Sequence, residues 1–157
     1  MHERLWLPLL LITVGAVGCQ QYGAEPELVS VPNVVDGDTL EVFLGEKAKI
    51  VDLCGVDAPE LDEPFGVEAR EALHSLVRRD GGRIHIVRTG RGKDGATVAE
   101  AWFMSTSGEE EIHLNSEMLV MGMAIVDPDN VETCPNAIVY GVAEDHAKAD
   151  SVGVWRE

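Results

Sequence analysis

From Leu28 onward the chain alternates apolar and polar residues in short runs separated by turn-forming residues, and a helical period interrupts this pattern before it resumes. Leu28 to Val35 is Val-rich and extended, Asp36-Gly37-Asp38 is a turn signal, and Thr39 to Leu44 alternates as a second strand. Gly45-Glu46 turns the chain into a third run, Ala48 to Val56. Asp57-Ala58-Pro59-Glu60 then breaks regular structure, because a proline restricts the residue before it. Gly66 to Arg79 places Val67, Ala69, Leu73, Leu76 and Val77 at helical spacing, and Asp80-Gly81-Gly82 ends it. Arg83 to Thr89 and Thr97 to Met104 are two further strands, joined by a Gly-rich loop that is expected to be flexible. Asn115 is expected to cap a helix running to Met121, and a last amphipathic helix covers about Asn136 to Asp150. Five short strands, with helices after the third and the fifth, suit a mainly β (α+β) fold built on a small closed OB-type barrel.

The N-terminus has a different character. Leu5 to Gly18 is an almost unbroken apolar run, too short to span a bilayer comfortably and suited to the core of a secretory signal. Pro8, Gly15 and the polar stretch after Cys19 argue against a buried helix there. Residues 1–18 are therefore expected to be a signal peptide, 19–27 a tether, and 28–157 the folded domain. Ala16-Val17-Gly18-Cys19 resembles a bacterial lipobox, in which the cysteine is lipidated, although Ala16 stands where Leu is usual. Ordinary cleavage to a soluble exported protein is the alternative. The chain has three cysteines. With Cys19 lipidated, Cys54 and Cys134 remain for an oxidising compartment and are expected to pair, the alternative being two buried thiols.

Charge restricts the function classes. The chain has 12 Lys and Arg against 28 Asp and Glu, a net charge of −16. Nucleic-acid binders draw affinity from neutralised phosphates, so strong non-specific binding to DNA or RNA is not expected. The surplus of carboxylates reads either as a solubility charge or as cation-binding capacity.

Two segments carry a family resemblance: Val35-Asp36-Gly37-Asp38-Thr39, and Cys54-Gly55-Val56-Asp57-Ala58-Pro59-Glu60. Together they resemble the pattern of the staphylococcal-nuclease-like (thermonuclease) family. Gly66 to Ala69, Val98-Ala99-Glu100, Asn115 to Ala124 and Val152-Gly153-Val154-Trp155 resemble further family segments in order, so the likeness covers Leu28 to Trp155. It implies Ca²⁺-dependent hydrolysis of nucleic-acid phosphodiesters. It also implies that Asp38 and Asp57 bind the Ca²⁺, helped by the backbone carbonyl of Ala58, that Glu60 is the general base, and that Asp36 supports the site. The chemistry suits these residue types, since the reaction needs a cation against phosphate charge and a base to activate water.

The chain departs from the family at the phosphate-binding half of the site. Asp52 and Ala96 stand where the family carries its two arginines, Asp94 replaces a tyrosine, and a further family tyrosine falls near Pro128. Asp52 is expected on the strand face that would meet the phosphate, where it adds repulsion. Lys49, three residues away, faces the other side of that strand, whereas Arg91 and Lys93 in the Gly-rich loop are candidate substitutes as phosphate contacts. The sequence thus supports an impaired envelope nuclease acting on single-stranded DNA or RNA as a monomer. The alternatives are a catalytically silent metal- or partner-binding module, and a membrane-anchored lipoprotein whose role is interaction.

Overall fold

A computed structural model describes residues 25–92, 94–104 and 111–156. The expected signal peptide, Cys19 and most of the tether lie outside the described residues, as does Lys93. Five strands form the barrel: β1 (Glu27–Val34), β2 (Thr39–Leu44), β3 (Lys47–Leu53), β5 (Arg83–Arg91) and β6 (Thr97–Met104). They pair in the order β3-β2-β1-β5-β6, and β3 meets β6 in parallel through Val51, Asp52 and Leu53 opposite Thr97, Val98 and Ala99. That pairing closes the sheet and removes its edges.

Alternation fills the barrel. Leu40, Val42, Val51, Ile84, Ile86, Ala99 and Ala101 point inward and are inaccessible to solvent. Helix α1 (Gly66–Arg78) contributes Leu73, Leu76 and Val77 to the same core, and α2 (Leu114–Val120) contributes Leu114, Met118 and Leu119. A short β7 (Glu111–His113) extends the sheet beyond β6, and helix α3 (Ala137–Ala149) packs on α2.

Three local expectations are corrected. The run Ala48 to Val56 is not one strand: β3 stops at Leu53, and a two-residue β4 (Val56–Asp57) pairs instead with β8 (Ile125–Val126). The break lies at Gly55, whose φ is +69° and whose N–H donates to Asn130 Oδ1 at 2.7 Å. A Cβ there would lie 2.8 Å from the Tyr140 ring, so only glycine fits. Asn115 does not cap α2, because the helix begins at Leu114 with His113 before it. Its buried side chain accepts the Ala101 N–H at 2.9 Å and donates to the Cys54 carbonyl at 2.9 Å, tying α2 to β6 and to the end of β3. Arg91 does not lie in a free loop either. A bulge between Arg88 and Gly90 lets the ladder continue, and Arg91 ends β5 opposite Thr97.

The Cys54–Cys134 pairing is present as a disulfide, closing a separation of 80 residues. A cross-link over a loop of this length contributes roughly 3–5 kcal/mol by restricting the unfolded chain. Nearby, Glu100 is 1% exposed and fully engaged. Its carboxylate accepts the Asn136 N–H at 2.9 Å, the Asn136 side-chain amide at 2.8 Å and the Tyr140 hydroxyl at 2.7 Å, which fixes the start of α3 against β6.

Candidate active site

The two motif segments meet at one end of the barrel. Asp36 shapes the β1–β2 turn, its Oδ1 accepting the N–H groups of Asp38 (3.1 Å) and Thr39 (2.8 Å). Gly37 packs against the other segment, and a Cβ there would lie 2.6 Å from the Ala58 and Ala69 side chains. Asp38 Oδ2 accepts the Ala58 N–H at 2.7 Å, Asp38 Oδ1 accepts the Thr39 hydroxyl at 3.0 Å, and the Asp38 carbonyl accepts the Leu53 N–H at 2.8 Å. Asp38 therefore joins its own turn to the ends of both β3 and β4.

A cleft of about 650 Å³ opens beside these bonds. Asp38, Asp52 and Asp57 line one side, Thr89, Arg91 and Asp94 another, and Asp127, Asp129 and Asn130 a third. Arg91 is the one cationic side chain among its described lining residues. Asp52 faces into the cleft with its carboxylate 3.5 Å from the Thr39 hydroxyl. Ala96 is buried and lines an adjoining groove instead. The two positions are still close: a Cβ on Gly92 would lie 3.2 Å from the Asp52 carboxylate and 3.7 Å from the Ala96 Cβ. Asp57 is exposed. Glu60 is exposed and is not among the residues lining the cleft, and its N–H donates to Glu63 Oε2 at 3.0 Å.

The electrostatics follow from crowding. Burial raises the Asp38 carboxyl to about 7, the Ala58 N–H partly offsets this, and the Asp36 charge adds to it. Burial and then the charge of Asp94 raise Asp52, while Asp57, though open to solvent, is raised by partial desolvation at the cleft and then by the charges of Asp127 and Glu63. Among the described residues no three His, Cys, Asp or Glu side chains are gathered closely enough to hold a metal ion. Asp38, Asp52, Asp57 and Asp127 nevertheless line one cleft, and carboxylate oxygens are the donor type that a hard divalent cation takes.

The wall formed by Asp127, Asp129 and Asn130 was not anticipated from the sequence. Its signal was present in the expected disulfide, because a Cys54–Cys134 bridge brings the residues before Cys134 next to Asp57. Asp127 N–H donates to the Gly55 carbonyl at 3.1 Å, which fixes that wall to the motif segment.

A closed five-stranded barrel with an acidic cleft at its mouth defines a class of small nuclease-like domains, and comparison with known proteins makes the assignment specific. Residues 50–157 match the family model described as "Staphylococcal nuclease homologue", and the chain belongs to that family. It is similar to an "Uncharacterized endonuclease" of Haemophilus influenzae, with 27% identity over 157 residues, covering 99% of this chain and 80% of that protein. It also resembles "Protein ParB" of Escherichia coli, 26% identical over 140 residues and covering 81% of this chain and 71% of the relative. A "Micrococcal nuclease" of Shigella flexneri is 30% identical over 97 residues, which cover 60% of this chain and 55% of that protein.

Proposed function

We propose that the chain is a Ca²⁺-dependent nuclease of single-stranded DNA or RNA, slow relative to a member of its family carrying both arginines. The observation that carries this reading is the 2.7 Å bond from the Ala58 N–H to Asp38, which holds the Asp38 turn against the segment bearing Asp57 and Glu60. Asp38 and Asp57, with the Ala58 carbonyl, would hold the cation, and Asp36 keeps the turn in shape. The cation, when bound, offsets phosphate charge. Glu60, on the same segment as Asp57, would take the proton of the attacking water. Arg91, fixed at the end of β5, contacts the phosphate.

The slowness follows from charge. A preorganised donor aimed at developing charge is worth on the order of 10²–10³ in rate. Asp52 and Ala96 supply none, and Asp52 faces the cleft with a negative charge of its own. Degradation of single-stranded DNA with Ca²⁺, compared with the same reaction in chelator, tests the reading. Chelator-insensitive cleavage, or none at any Ca²⁺ concentration, overturns it.

The same substitutions favour a second reading, a catalytically silent metal- or partner-binding module. Ca²⁺ binding without any hydrolysis would select it. For either reading we propose export, with residues 1–18 as the signal, a tether over 19–27, a lipid on Cys19 holding the protein at a membrane, and a monomeric domain from residue 28. The Cys54–Cys134 disulfide supports an oxidising compartment. Fatty-acid labelling that survives Cys19→Ala would sink the anchor.

A further inference from the structure

A second opening, a groove of about 390 Å³, lies between the β2–β3 and β5–β6 hairpins. Leu44, Lys49 and Ile50 line it from the first hairpin, and Arg88, Arg91 and Asp94 from the second. Arg91 and Asp94 also line the acidic cleft, so the two openings share a wall. The charge distribution is uneven. In a chain with 12 basic residues and a net charge of −16, three of the basic side chains border one groove beside the cleft. Asp94 is the one acid among its described lining residues. Arg88 is also hydrogen-bonded to the Glu27 carboxylate, which fixes its direction and removes part of its charge.

Lys49 and Arg91 are exposed, and Ile50 is 41% exposed on the same strand as Lys49. Phe43, 44% exposed, lies on the outer face of β2, where it is a diagonal neighbour of Ile50. Phe43 and Ile50 lie on the face of the hairpin opposite to Lys49, so what the groove itself offers a single nucleic-acid strand is positive charge for its phosphates. An internal strand that puts one phosphate in the cleft must also place the next one, and elsewhere around the cleft the described walls are carboxylate-rich.

Resting on the nucleic-acid reading above, we propose that this groove is a second phosphate site. In it Lys49 holds the next phosphate of a single-stranded nucleic acid, while Arg91 stands on the shared wall between that phosphate and the one engaged in the cleft. Charge is thereby segregated rather than absent: the chain repels nucleic acid as a whole and admits it along one track. The site selects polymeric over very short substrates, because a dinucleotide does not extend from the cleft into the groove.

The test compares the parent with Lys49→Glu, Lys49→Ala and, as a distant control, Lys148→Ala on α3. Binding of a labelled single-stranded oligonucleotide is followed by anisotropy across a salt series, in a Glu60→Gln background with Ca²⁺. Hydrolysis of an oligonucleotide and of a dinucleotide is measured in the otherwise unaltered chain, and thermal melts establish that each variant folds. Loss of one phosphate contact should lower the slope of log affinity against log salt by about 1 in Lys49→Ala. The loss should be larger in Lys49→Glu and nil in Lys148→Ala. KM for the oligonucleotide should rise while dinucleotide hydrolysis stays unchanged. Equal affinity and slope in the parent and in Lys49→Glu, or no oligonucleotide binding by the parent, overturns the groove. The two readings fail separately. Lys49-dependent binding with no hydrolysis of any substrate removes the nuclease and keeps the groove, whereas hydrolysis indifferent to Lys49→Glu removes the groove and keeps the nuclease.

Discussion

The Asp38 carboxylate accepts the backbone N–H of Ala58 at 2.7 Å, across 20 residues of sequence. The same residue lines the acidic cleft, so it has two tasks, bridging two segments and contributing charge to the cleft, and a single substitution separates them. Asp38→Asn keeps a side-chain carbonyl to accept the Ala58 N–H but removes a charge that burial disfavours. In chelator at pH 8 the variant is expected to be more stable than the parent, by about 1–3 kcal/mol. Ca²⁺ should raise the melting temperature of the parent and leave Asp38→Asn where it was. Calorimetry gives the second readout: Asp38→Ala should abolish the binding isotherm. An isotherm that survives Asp38→Ala would place the cation elsewhere.

The disulfide anchors the far wall of the cleft as well as the fold. Cys134 lies four residues beyond Asn130, whose side chain accepts the Gly55 N–H, and Asp127 bonds the Gly55 carbonyl from the same loop. Replacing both cysteines by alanine is expected to lower stability by roughly 3–5 kcal/mol, read from the urea midpoint at unchanged slope. The larger amide-exchange gain should fall on Gly55 and on Asp127 to Cys134 rather than on the β1–β2 hairpin. Exchange that rises evenly over the barrel would mean that the bridge stabilises without positioning the loop.

The barrel was legible in the sequence because each strand carries its own signal. Leu40 and Val42 alternate with Glu41 and Phe43, and Thr39–Leu44 and Thr97–Met104 have the expected bounds. The meeting of the two acidic segments was legible through their resemblance to the family pattern, and the structure brings Asp38 and Asp57 to one cleft. What escaped depends on contacts distant in sequence. Gly55 breaks β3 because Tyr140 and Asn130 arrive from beyond α2, and the glycine itself is the only local mark of the break. Asn115 has the composition of a cap, yet tertiary partners at Ala101 and Cys54 outweigh the local preference. Arg91 looked mobile beside its glycines because a bulge that prolongs a ladder leaves no periodic signature.

His113 provides a pH test away from the cleft. Its ring stacks between Trp102 and Tyr140, with centroids 4.8 and 5.6 Å away. Burial lowers its pKa to about 4, against the opposing pull of Glu100, and its Nε2 is buried without a hydrogen-bond partner. Between the folded value and an unfolded value of about 6.5, the unfolded chain binds a proton that the folded chain does not. Its contribution is therefore intact above about pH 6.5 and is lost as pH falls toward 4, by at most about 3 kcal/mol. His113→Phe keeps a ring in the stack and removes the titration. The stability difference between parent and variant should be flat from pH 7 to 8 and should move in favour of the variant from pH 6 to 4.5. Because carboxylates titrate in both proteins, only the difference is diagnostic, and a flat difference at all pH values would show that His113 does not titrate abnormally.

The phosphate half of the cleft is where activity should be recoverable. Asp52 faces the cleft, so Asp52→Arg removes a repulsive charge and adds a donor that can form two hydrogen bonds to phosphate. Ala96 is buried at the edge of the adjoining groove, close to Asp52 around Gly92, so an arginine there must extend past Gly92 to reach the same phosphate. Asp52→Arg should therefore be the more effective single change. The double variant should exceed both by more than their product, since the two side chains stabilise one charged transition state. Each preorganised donor is worth about 10²–10³ in rate, and the nearby Asp94 carboxylate places the gain toward the lower end. Glu60→Gln in the double background should remove the gain if Glu60 is the base. The measurement is the rate on single-stranded DNA with Ca²⁺, for the parent and the four variants. A parent as fast as the double variant would mean that Arg91 already provides the missing charge from the end of β5.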